Sequence, residues 1–305
     1  MIIDSHLHVD IEGFDEQVLL RYMDNHGIER GWLLSWEEHR APVPEYRHLS
    51  PQKIMETCRH HPDRFLPFYA PDPKDPALEE KLQWFSESGF RGFGELKVPY
   101  HWDDPAVAEY LEKVQRIRPL LVIHIEKPAA RFRFADHRVE NRINFGSNGL
   151  AAYLLGRLSR STGIMKSRRT DFPGYLMDLH LLGPVLKAFP EIRFVAHGPE
   201  FWRQFGQRPP VYAHHSKGPI TGKGIIWELL DGHSNLYCDT SGFSAYYALS
   251  RDPAYTAEFI NRYGDRVLFG TDNTGLPVQA LLERTGWDQD TRAKVMGLNA
   301  IELTK

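Results

Sequence analysis

Short apolar runs alternate along the chain with longer stretches in which apolar and polar residues are mixed. The apolar runs are rich in Val, Ile, Leu and Phe and end in polar residues or glycine, which is typical of buried strands. They cover residues 1–8, 30–36, 64–72, 90–98, 120–126, 192–198, 235–242 and 266–273. Between them, 15–27, 77–89 and 105–117 have helical spacing, and the first two end at a glycine, a common stop signal for helices.

Eight strand-like runs separated by helix-like segments predict parallel βα units, and eight such strands close a barrel. An open, doubly wound sheet is the alternative, but no glycine-rich phosphate loop follows the first run. The length of 305 residues suits one domain over residues 1–305, since a barrel of this kind typically takes about 250 residues. The sequence therefore predicts an α/β fold, a (β/α)8 TIM barrel.

Composition narrows the class of protein. Apolar residues make up 42% of the chain and charged residues 25%, as in ordinary globular proteins, and the net charge of −3 argues against a nucleic-acid-binding domain. Cys58 and Cys238 are too few for a disulfide framework and wrongly spaced for a cysteine zinc site. No targeting leader precedes the first run, and no apolar run approaches the roughly 18 residues of a membrane span. We therefore expect a cytoplasmic protein.

Metal-binding or charged side chains recur at one end of the predicted strands. Active sites of (β/α)8 barrels lie at the carboxyl ends of the strands. The residues at those ends are His6, His8, Glu95, Lys97, His124, His197 and Asp272. Any one of them is more often a structural group than a ligand, but a random scatter would not put so many at the same end. Three imidazoles, a carboxylate and a water would make an open catalytic zinc centre.

The first ten residues, MIIDSHLHVD, carry two of these imidazoles. Side chains alternate across a strand, so Asp4, His6 and His8 are expected on one face, where the two imidazoles can chelate one metal ion. We expect Asp4 to accept a hydrogen bond from the free N–H of a ligand histidine. A pair of hydrogen-bonded structural histidines is the alternative.

Four motifs together resemble a known family. HLH in the first strand, IHIE in the fifth, AHGPEF in the sixth and FGTDN in the eighth are similar to the amidohydrolase superfamily, and closest to its branch of proteins like aminocarboxymuconate semialdehyde decarboxylase. The resemblance covers nearly the whole chain and implies a distorted (β/α)8 barrel. It also implies that His6, His8, His124 and Asp272 bind the metal and that His197 lies beside the bound water.

Such a centre indicates the chemistry. A divalent ion, most simply one zinc ion, lowers the pKa of its water from about 15.7 toward 7, and Asp272 can accept the released proton. His197 would hydrogen-bond the hydroxide or polarise a substrate carbonyl. With an amide, ester or lactone as substrate the reaction is hydrolysis, which we favour. The alternatives are metal-dependent decarboxylation of an unsaturated or aromatic carboxylic acid, and a catalytically silent metal-binding scaffold.

Glu95 and Lys97, in the stretch GFGELK, are two residues apart and share a strand face. Glu95 would be an additional ligand or proton carrier at one metal, or it would bridge to a second metal held by His124 and His197; we favour one metal. Lys97 would orient an anionic substrate. A plain buried ion pair between Glu95 and Lys97 is the structural alternative.

A basic insertion follows the fifth predicted strand. Residues 127–169 contain ten Lys or Arg against two Asp or Glu, and the expected helix of this βα unit comes only at 178–190. We predict that 127–175 forms a lid that concentrates a small anionic substrate, with Arg131, Arg133 and, from the next loop, His214 in contact with it. A solvated loop, a subunit contact in a homo-oligomer and binding to an anionic membrane surface are the alternatives.

Overall fold

The computed structural model describes residues 1–11, 13–37, 49–127, 129–134, 167–172, 174–207, 215 and 218–305. Its strands are β1 (Ile3–Leu7), β2 (Arg30–Leu34), β3 (Phe65–Phe68), β4 (Phe93–Leu96), β5 (Leu120–His124), β6 (Ala129–Phe134), β7 (Ser167–Phe172), β8 (Arg193–His197), β9 (Leu236–Asp239) and β10 (Val267–Leu268). Each of the predicted apolar runs contains one strand, and β6 and β7 lie in the predicted insertion.

The strands outside the insertion pair in parallel and surround a common interior. One sheet has the order β1, β2, β3, and the other has the order β10, β9, β8, β5, β4. The two sheets meet at both edges, because Phe68 pairs with Gly92 and the Ser5 N–H donates to the Phe269 carbonyl at 2.9 Å. The predicted (β/α)8 barrel is therefore confirmed, and its two thinly paired seams make it distorted.

The helices of the described residues follow the strands. They are α1 (Glu16–Asn25), α2 (Pro51–His60), α3 (Leu78–Ser88), α4 (Pro105–Ile117), α5 (Leu182–Ala188), α6 (Pro199–Arg203), α7 (Ile225–Gly232), α8 (Gly242–Leu249), α9 (Pro253–Tyr263), α10 (Val278–Glu283), α11 (Gln289–Ala293) and α12 (Asn299–Leu303). The three helix-like segments of the sequence are α1, α3 and α4, and the helix expected at 178–190 is α5. No helix in the described ranges is long and apolar enough to cross a membrane.

Local sequence signals explain where these helices begin and end. The carboxylates of Asp15 and Asp104 accept hydrogen bonds from backbone N–H groups in the first turns of α1 and α4, and the Ser50 hydroxyl does the same for α2. Each side chain pairs a donor that the helix itself cannot satisfy. At the other end of α3, Gly89 has a φ of 83°, a conformation that glycine adopts without steric cost.

Alternation along the strands decides which side chains enter the barrel. On β5, Leu120 and Val122 pack in the small core cluster inside the barrel, whereas Leu121 and Ile123 pack in the larger core against the helices. Because the period is two, His124 continues the inward row at the carboxyl end of β5. The same alternation on β2, β8 and β9 brings three further residues to the barrel mouth, Trp36, His197 and Asp239.

Two strands depart from simple alternation. The pairing of β1 with β2 shifts between Asp4 and Leu7, and the pairing of β4 with β5 shifts between Phe93 and Leu96. Regular alternation would put Ile3 and Leu7, which are four residues apart, on the same side of the sheet. Instead Ile3 lies inside the barrel and Leu7 packs against the helices. Such irregularities re-aim side chains, and here they decide which residues of β1 and β4 face the barrel mouth.

The insertion leaves the barrel as an antiparallel ribbon of β6 and β7. At its base Glu126 and Tyr175 exchange backbone hydrogen bonds of 3.0 and 2.7 Å. The ribbon therefore departs from and returns to the carboxyl end of β5, beside the end of the barrel where the predicted site lies. Arg131 and Arg133 belong to β6, whereas 135–166 and His214 lie outside the described residues. The lid role of 127–175 stays a prediction.

Candidate metal centre

Side chains from β1, β4, β5, β8 and the segment after β10 converge at the barrel mouth. Three groups of ligand atoms have members within 4.8 Å of one another: His6, His197 and Asp272; His6, His8 and Glu95; and Glu95, His124 and His197. All of these side chains are buried except Asp272, whose side chain is 32% exposed. The strand ends singled out in the sequence therefore do meet in one place.

Hydrogen bonds at Nδ1 orient three of the imidazoles. Nδ1 of His8 donates to the Leu34 carbonyl at 2.9 Å, and Nδ1 of His6 donates to Oδ2 of Asp239 at 2.9 Å. The other oxygen of Asp239 lies 3.1 Å from Nδ1 of His197. An imidazole that donates from Nδ1 carries its lone pair on Nε2, so the lone pairs are available to the site.

The buried donor atoms of the site fit a metal ion. Nε2 of His6, Nε2 of His8 and Oε2 of Glu95 are buried and have no hydrogen-bond partner among the described residues. Buried polar atoms are nearly always paired, so unpaired ones call for an explanation. The His8 nitrogen lies 3.8 Å from Glu95 Oε2, and the His6 nitrogen lies 3.9 Å from Glu95 Oε1. Nitrogen and carboxylate donors in this arrangement fit a divalent cation.

Glu95 lies at the centre of the cluster. Its Oε1 accepts a hydrogen bond from Nδ1 of His124 at 2.6 Å and lies 4.0 Å from Nε2 of His197, and its Oε2 lies 3.9 Å from Nζ of Lys97. Burial by itself would raise the pKa of Glu95, but Lys97, His124 and His6 outweigh it and hold the pKa well below its usual range. An ionised carboxylate thus occupies the middle of the site.

His124 lies between two carboxylates. Its Nδ1 contacts Glu95, and its Nε2 lies 3.4 Å from Oε2 of Glu126. Among the described residues the ligand group that contains His124 is completed by Glu95 and His197. His124 therefore joins the cluster through Glu95 and His197, and not through the β1 histidines and Asp272 as predicted. That His124 binds the same metal ion as His6, His8 and Asp272 stays a prediction.

Asp272 lies at the rim of the site. Its Oδ1 is 3.3 Å from Nε2 of His8, and its backbone N–H donates to the His6 carbonyl at 2.9 Å. The residue has a φ of 53°, in the left-handed region that aspartate tolerates better than most residues. Burial would raise the pKa of Asp272, but His8, His6 and His197 together lower it to about 2. Asp272 is therefore an ionised, partly exposed carboxylate.

Aromatic rings flank Lys97, which is 7% exposed. Its Nζ lies 4.2 Å from the ring centroid of Trp36 and 5.8 Å from that of Tyr175. The Trp36 ring meets the His8 ring edge-on at 4.7 Å, and the Tyr175 ring meets the His124 ring edge-on at 5.8 Å. Lys97 thus extends the site from the imidazoles toward an aromatic wall, to which the end of the insertion contributes Tyr175.

The expectation for Asp4 is wrong. Its carboxylate accepts hydrogen bonds from the His6 backbone N–H at 3.0 Å and from the Thr271 hydroxyl at 2.6 Å, and the His6 ring nitrogen is bound by Asp239 instead. The irregular pairing of β1 after Asp4 is the physical reason, because it breaks the simple alternation that put residues 4, 6 and 8 on one face.

Several residues that contact the imidazoles were not predicted from the sequence: Asp239, Ser241, Glu126 and Tyr175. Asp239 ends the inward row of β9, so the argument used for the other strand ends, applied to this strand, would have found it. Glu126 lies two residues beyond His124, within the quoted motif IHIE. The sequence around Tyr175 gives no sign of its contact with the site, because the hydrophobic pattern of a chain does not show where the end of an insertion meets the barrel again.

Known proteins share this architecture. A family model described as amidohydrolase matches residues 3–303. No curated protein matches the chain. Among solved structures, 5-carboxyvanillate decarboxylase from Sphingomonas paucimobilis is similar, with a TM-score of 0.56, 15% identity, and coverage of 99% of this chain and 98% of that one.

Two further solved structures are comparably similar. A probable 2-pyrone-4,6-dicarboxylic acid hydrolase from Acinetobacter baumannii, with citric acid bound, has a TM-score of 0.55 and 13% identity, covering 99% of this chain and 98% of that one. A dihydroxybenzoic acid decarboxylase from Polaromonas sp. JS666, with bound manganese and the inhibitor 2-nitroresorcinol, has a TM-score of 0.53 and 17% identity, covering 99% and 96%. At such identities the likeness shows the fold.

The family match spans almost the whole chain and agrees with the barrel and with the cluster at its mouth. The resemblance to the amidohydrolases seen in the sequence is thereby confirmed, and the protein is an enzyme of that family. The chain belongs to the amidohydrolase family.

Proposed function

We propose that the protein is a metal-dependent hydrolase that cleaves an amide, ester or lactone bond of a small anionic molecule. The observation that carries the proposal is a set of buried atoms, on His6, His8 and Glu95, that have no hydrogen-bond partner in the described part of the chain and lie beside the partly exposed carboxylate of Asp272. This arrangement supports a metal site next to a base, and hydrolysis uses these two parts directly.

The proposed ligands are His6, His8, His124 and Asp272, for one ion. Nitrogen and carboxylate donors suit zinc, and manganese, which the Polaromonas decarboxylase holds, is the alternative. A divalent ion held there supplies Lewis-acid chemistry by polarising a carbonyl oxygen and making water more acidic. A second ion is the other arrangement considered, and the two ligand groups that share Glu95 support it.

Asp272 is the proposed base. As an ionised and partly exposed carboxylate, it can take a proton from the attacking water and return it to the leaving group. His197 is proposed to orient that water. Its Nδ1 is held by Asp239, so its Nε2 is the acceptor that faces the site.

Lys97 is the proposed partner for the anionic group of the substrate. Its ammonium lies in the site, and the rings of Trp36 and Tyr175 beside it suit a flat substrate. Arg131, Arg133 and His214, with the insertion 127–175 as a lid, are proposed to add attraction for anions on the strength of their sequence alone.

Decarboxylation is the second candidate, and the comparisons favour it. Two of the three similar structures reported above are named as decarboxylases of aromatic carboxylic acids. In that reaction the bond between the ring carbon and the carboxylate breaks, carbon dioxide leaves, and the carbon receives a proton. The electron pair of the broken bond stays on that carbon and binds the proton. Asp272 would deliver this proton after taking it up from solvent in the complex with substrate.

Turnover of a defined panel decides between the two. Protein loaded with zinc or with manganese would be incubated with lactones, amides and carboxyl-labelled aromatic acids, while acid release and labelled carbon dioxide are followed separately. We expect hydrolysis that EDTA abolishes and metal restores, with no carbon dioxide. Release of carbon dioxide would overturn the hydrolase proposal in favour of decarboxylation.

Elemental analysis tests the proposed ligands and should give about one ion per chain. Retention of the metal by a His6→Ala/His8→Ala variant would overturn the ligand assignment.

A further inference from the structure

One fully buried carboxylate, Asp239 at the end of β9, touches two imidazoles of the site at once. Its Oδ2 lies 2.9 Å from Nδ1 of His6, and its Oδ1 lies 3.1 Å from Nδ1 of His197. The two rings also contact each other, with their centroids 4.3 Å apart. Asp239 therefore lies behind a proposed metal ligand and behind the residue proposed to orient water.

The carboxylate is itself held rigidly. The Ser241 N–H donates to Oδ1 at 3.1 Å, and the Ser241 hydroxyl lies within hydrogen-bond distance of both Oδ1 and His197 Nδ1. Behind it, the indole N–H of Trp202 donates to the Asp239 carbonyl at 3.1 Å. Asp239 thus has a fixed position from which neither oxygen can turn away without losing a bond.

An ionised carboxylate only accepts hydrogen bonds, whereas a neutral imidazole has one donor and one acceptor nitrogen. Two rings that both point Nδ1 at Asp239 must therefore both carry their proton on Nδ1. Each ring then presents the lone pair of Nε2 to the site, which is the form that a metal ligand or a hydrogen-bond acceptor for water requires.

We propose that Asp239 is a positioning residue that sets the tautomer of His6 and His197 together, so that metal affinity and the orientation of the reacting water depend on one carboxylate. The proposal rests on the proposed function in assigning His6 to the metal and His197 to water. The tautomers themselves follow from the hydrogen bonds alone, so they can be measured without metal or substrate.

Asp239→Asn is the sharpest perturbation because the amide has nearly the same shape but only one acceptor oxygen. One imidazole can keep its bond to that oxygen, while the other faces the NH2 group and must move its proton to Nε2 or give up the contact. The unfavoured tautomer removes one ligand or one acceptor from the site. Loss of such a partner typically lowers metal affinity by about 10- to 100-fold.

The matched control is Asp4→Asn. Asp4 is equally buried and lies in the same strand as His6, but its carboxylate accepts hydrogen bonds from the backbone of residues 6 and 271 and from the Thr271 hydroxyl, and none from an imidazole of the described residues. A general effect of replacing a buried carboxyl group near the barrel mouth with an amide would appear in both variants. An effect through the imidazoles would appear only in Asp239→Asn.

Two measurements test the proposal on the full chain. In metal-free protein with 15N-labelled histidine, NMR correlations between ring nitrogens and ring protons report the tautomer of each imidazole. We expect Nδ1–H for His6 and His197 in the wild type and in Asp4→Asn. In Asp239→Asn we expect Nε2–H for one of these two rings. Competition with a chelator should show weaker binding of zinc or manganese to Asp239→Asn by about 10- to 100-fold.

Unchanged tautomers together with unchanged metal affinity in Asp239→Asn would overturn the proposal. So would an equal loss of affinity in Asp4→Asn. If Asp239→Asn does not fold, Ser241→Ala removes the other group that contacts Nδ1 of His197 and leaves the carboxylate in place. The same NMR measurement should then still show Nδ1–H at His197. A shift of that proton to Nε2 would mean that Ser241, and not Asp239, sets the tautomer, and would overturn the proposal. Failure of the substrate panel would leave these readouts intact, so the two proposals fail separately.

Discussion

Glu95 and Lys97 form a buried charge pair whose contribution to stability can be worked out from its geometry. Oε2 and Nζ lie 3.9 Å apart, and the two side chains are 1% and 7% exposed. Unit charges about 4 Å apart attract each other by about 4 kcal/mol at an effective dielectric constant of about 20. Glu95→Gln keeps the shape but leaves the ammonium of Lys97 buried beside a neutral amide. We expect the free energy of unfolding of the metal-free protein to fall by about 3–5 kcal/mol.

A double-mutant cycle isolates the pair from the imidazoles that also face Glu95. Lys97→Met retains most of the side-chain volume without the charge, and the variant carrying both substitutions has neither charge. If the pair is the main interaction, the double variant loses less stability than the sum of the two single variants, with a coupling energy of about 2–3 kcal/mol.

Urea unfolding followed by circular dichroism, with EDTA present throughout, measures the four free energies. Lys113→Met is the matched control, because Lys113 pairs with the exposed carboxylates of Glu79 and Glu109 on the surface and should matter little. Single effects at positions 95 and 97 that add to within about 0.5 kcal/mol would refute the reasoning. That result would mean that the imidazoles, and not Lys97, hold the Glu95 charge in place.

The remaining predictions concern the base, a buried acid and the insertion. Asp272→Asn removes the proposed base and should lower turnover by about 10²–10⁴-fold; an unchanged rate with full metal content would show that the proton goes elsewhere. Burial raises the pKa of Asp4 to about 7, so between about pH 4 and 7 the folded protein holds a proton that the unfolded chain has released, and stability should fall as the pH rises. Asp4→Asn should flatten that fall in urea unfolding across this range, and an identical pH profile would contradict it. Replacing Arg131 and Arg133 with Gln should raise KM for an anionic substrate more than for a neutral analogue, with the difference shrinking as salt is added; equal changes would favour a structural role.

The sequence predicted the barrel and most of the cluster because one physical rule governs both. A strand that is buried on both faces must be apolar along its length, so a polar residue at its carboxyl end stands out, as His124 does after Leu120 and Val122. The rule identifies a strand end without knowing the strand's neighbours. It succeeded for β5 and β8, whose pairing is regular.

The rule failed where side-chain direction depends on pairing. Asp4 was expected to touch an imidazole, but the shift in the register of β1 directs it to the backbone of residues 6 and 271. The contact of Tyr175 with the site depends on a bridge to Glu126 across the whole insertion. Interactions of this kind are set by the partner strand or loop, and the hydrophobic pattern of a single segment does not contain them.

The seam between β1 and the segment after β10 has a consequence for the order in which the protein matures. Ser5 bonds through both its N–H and its hydroxyl to Phe269, 264 residues later in the chain. A ribosome that adds about 5–20 residues per second needs roughly 13–50 seconds to make the second partner after the first. Throughout that interval the nascent chain offers a metal ion the two imidazoles of β1 without Asp272. The barrel closes only after this segment has been made, so a site that needs both the β1 histidines and Asp272, as proposed above, is complete only in the finished barrel.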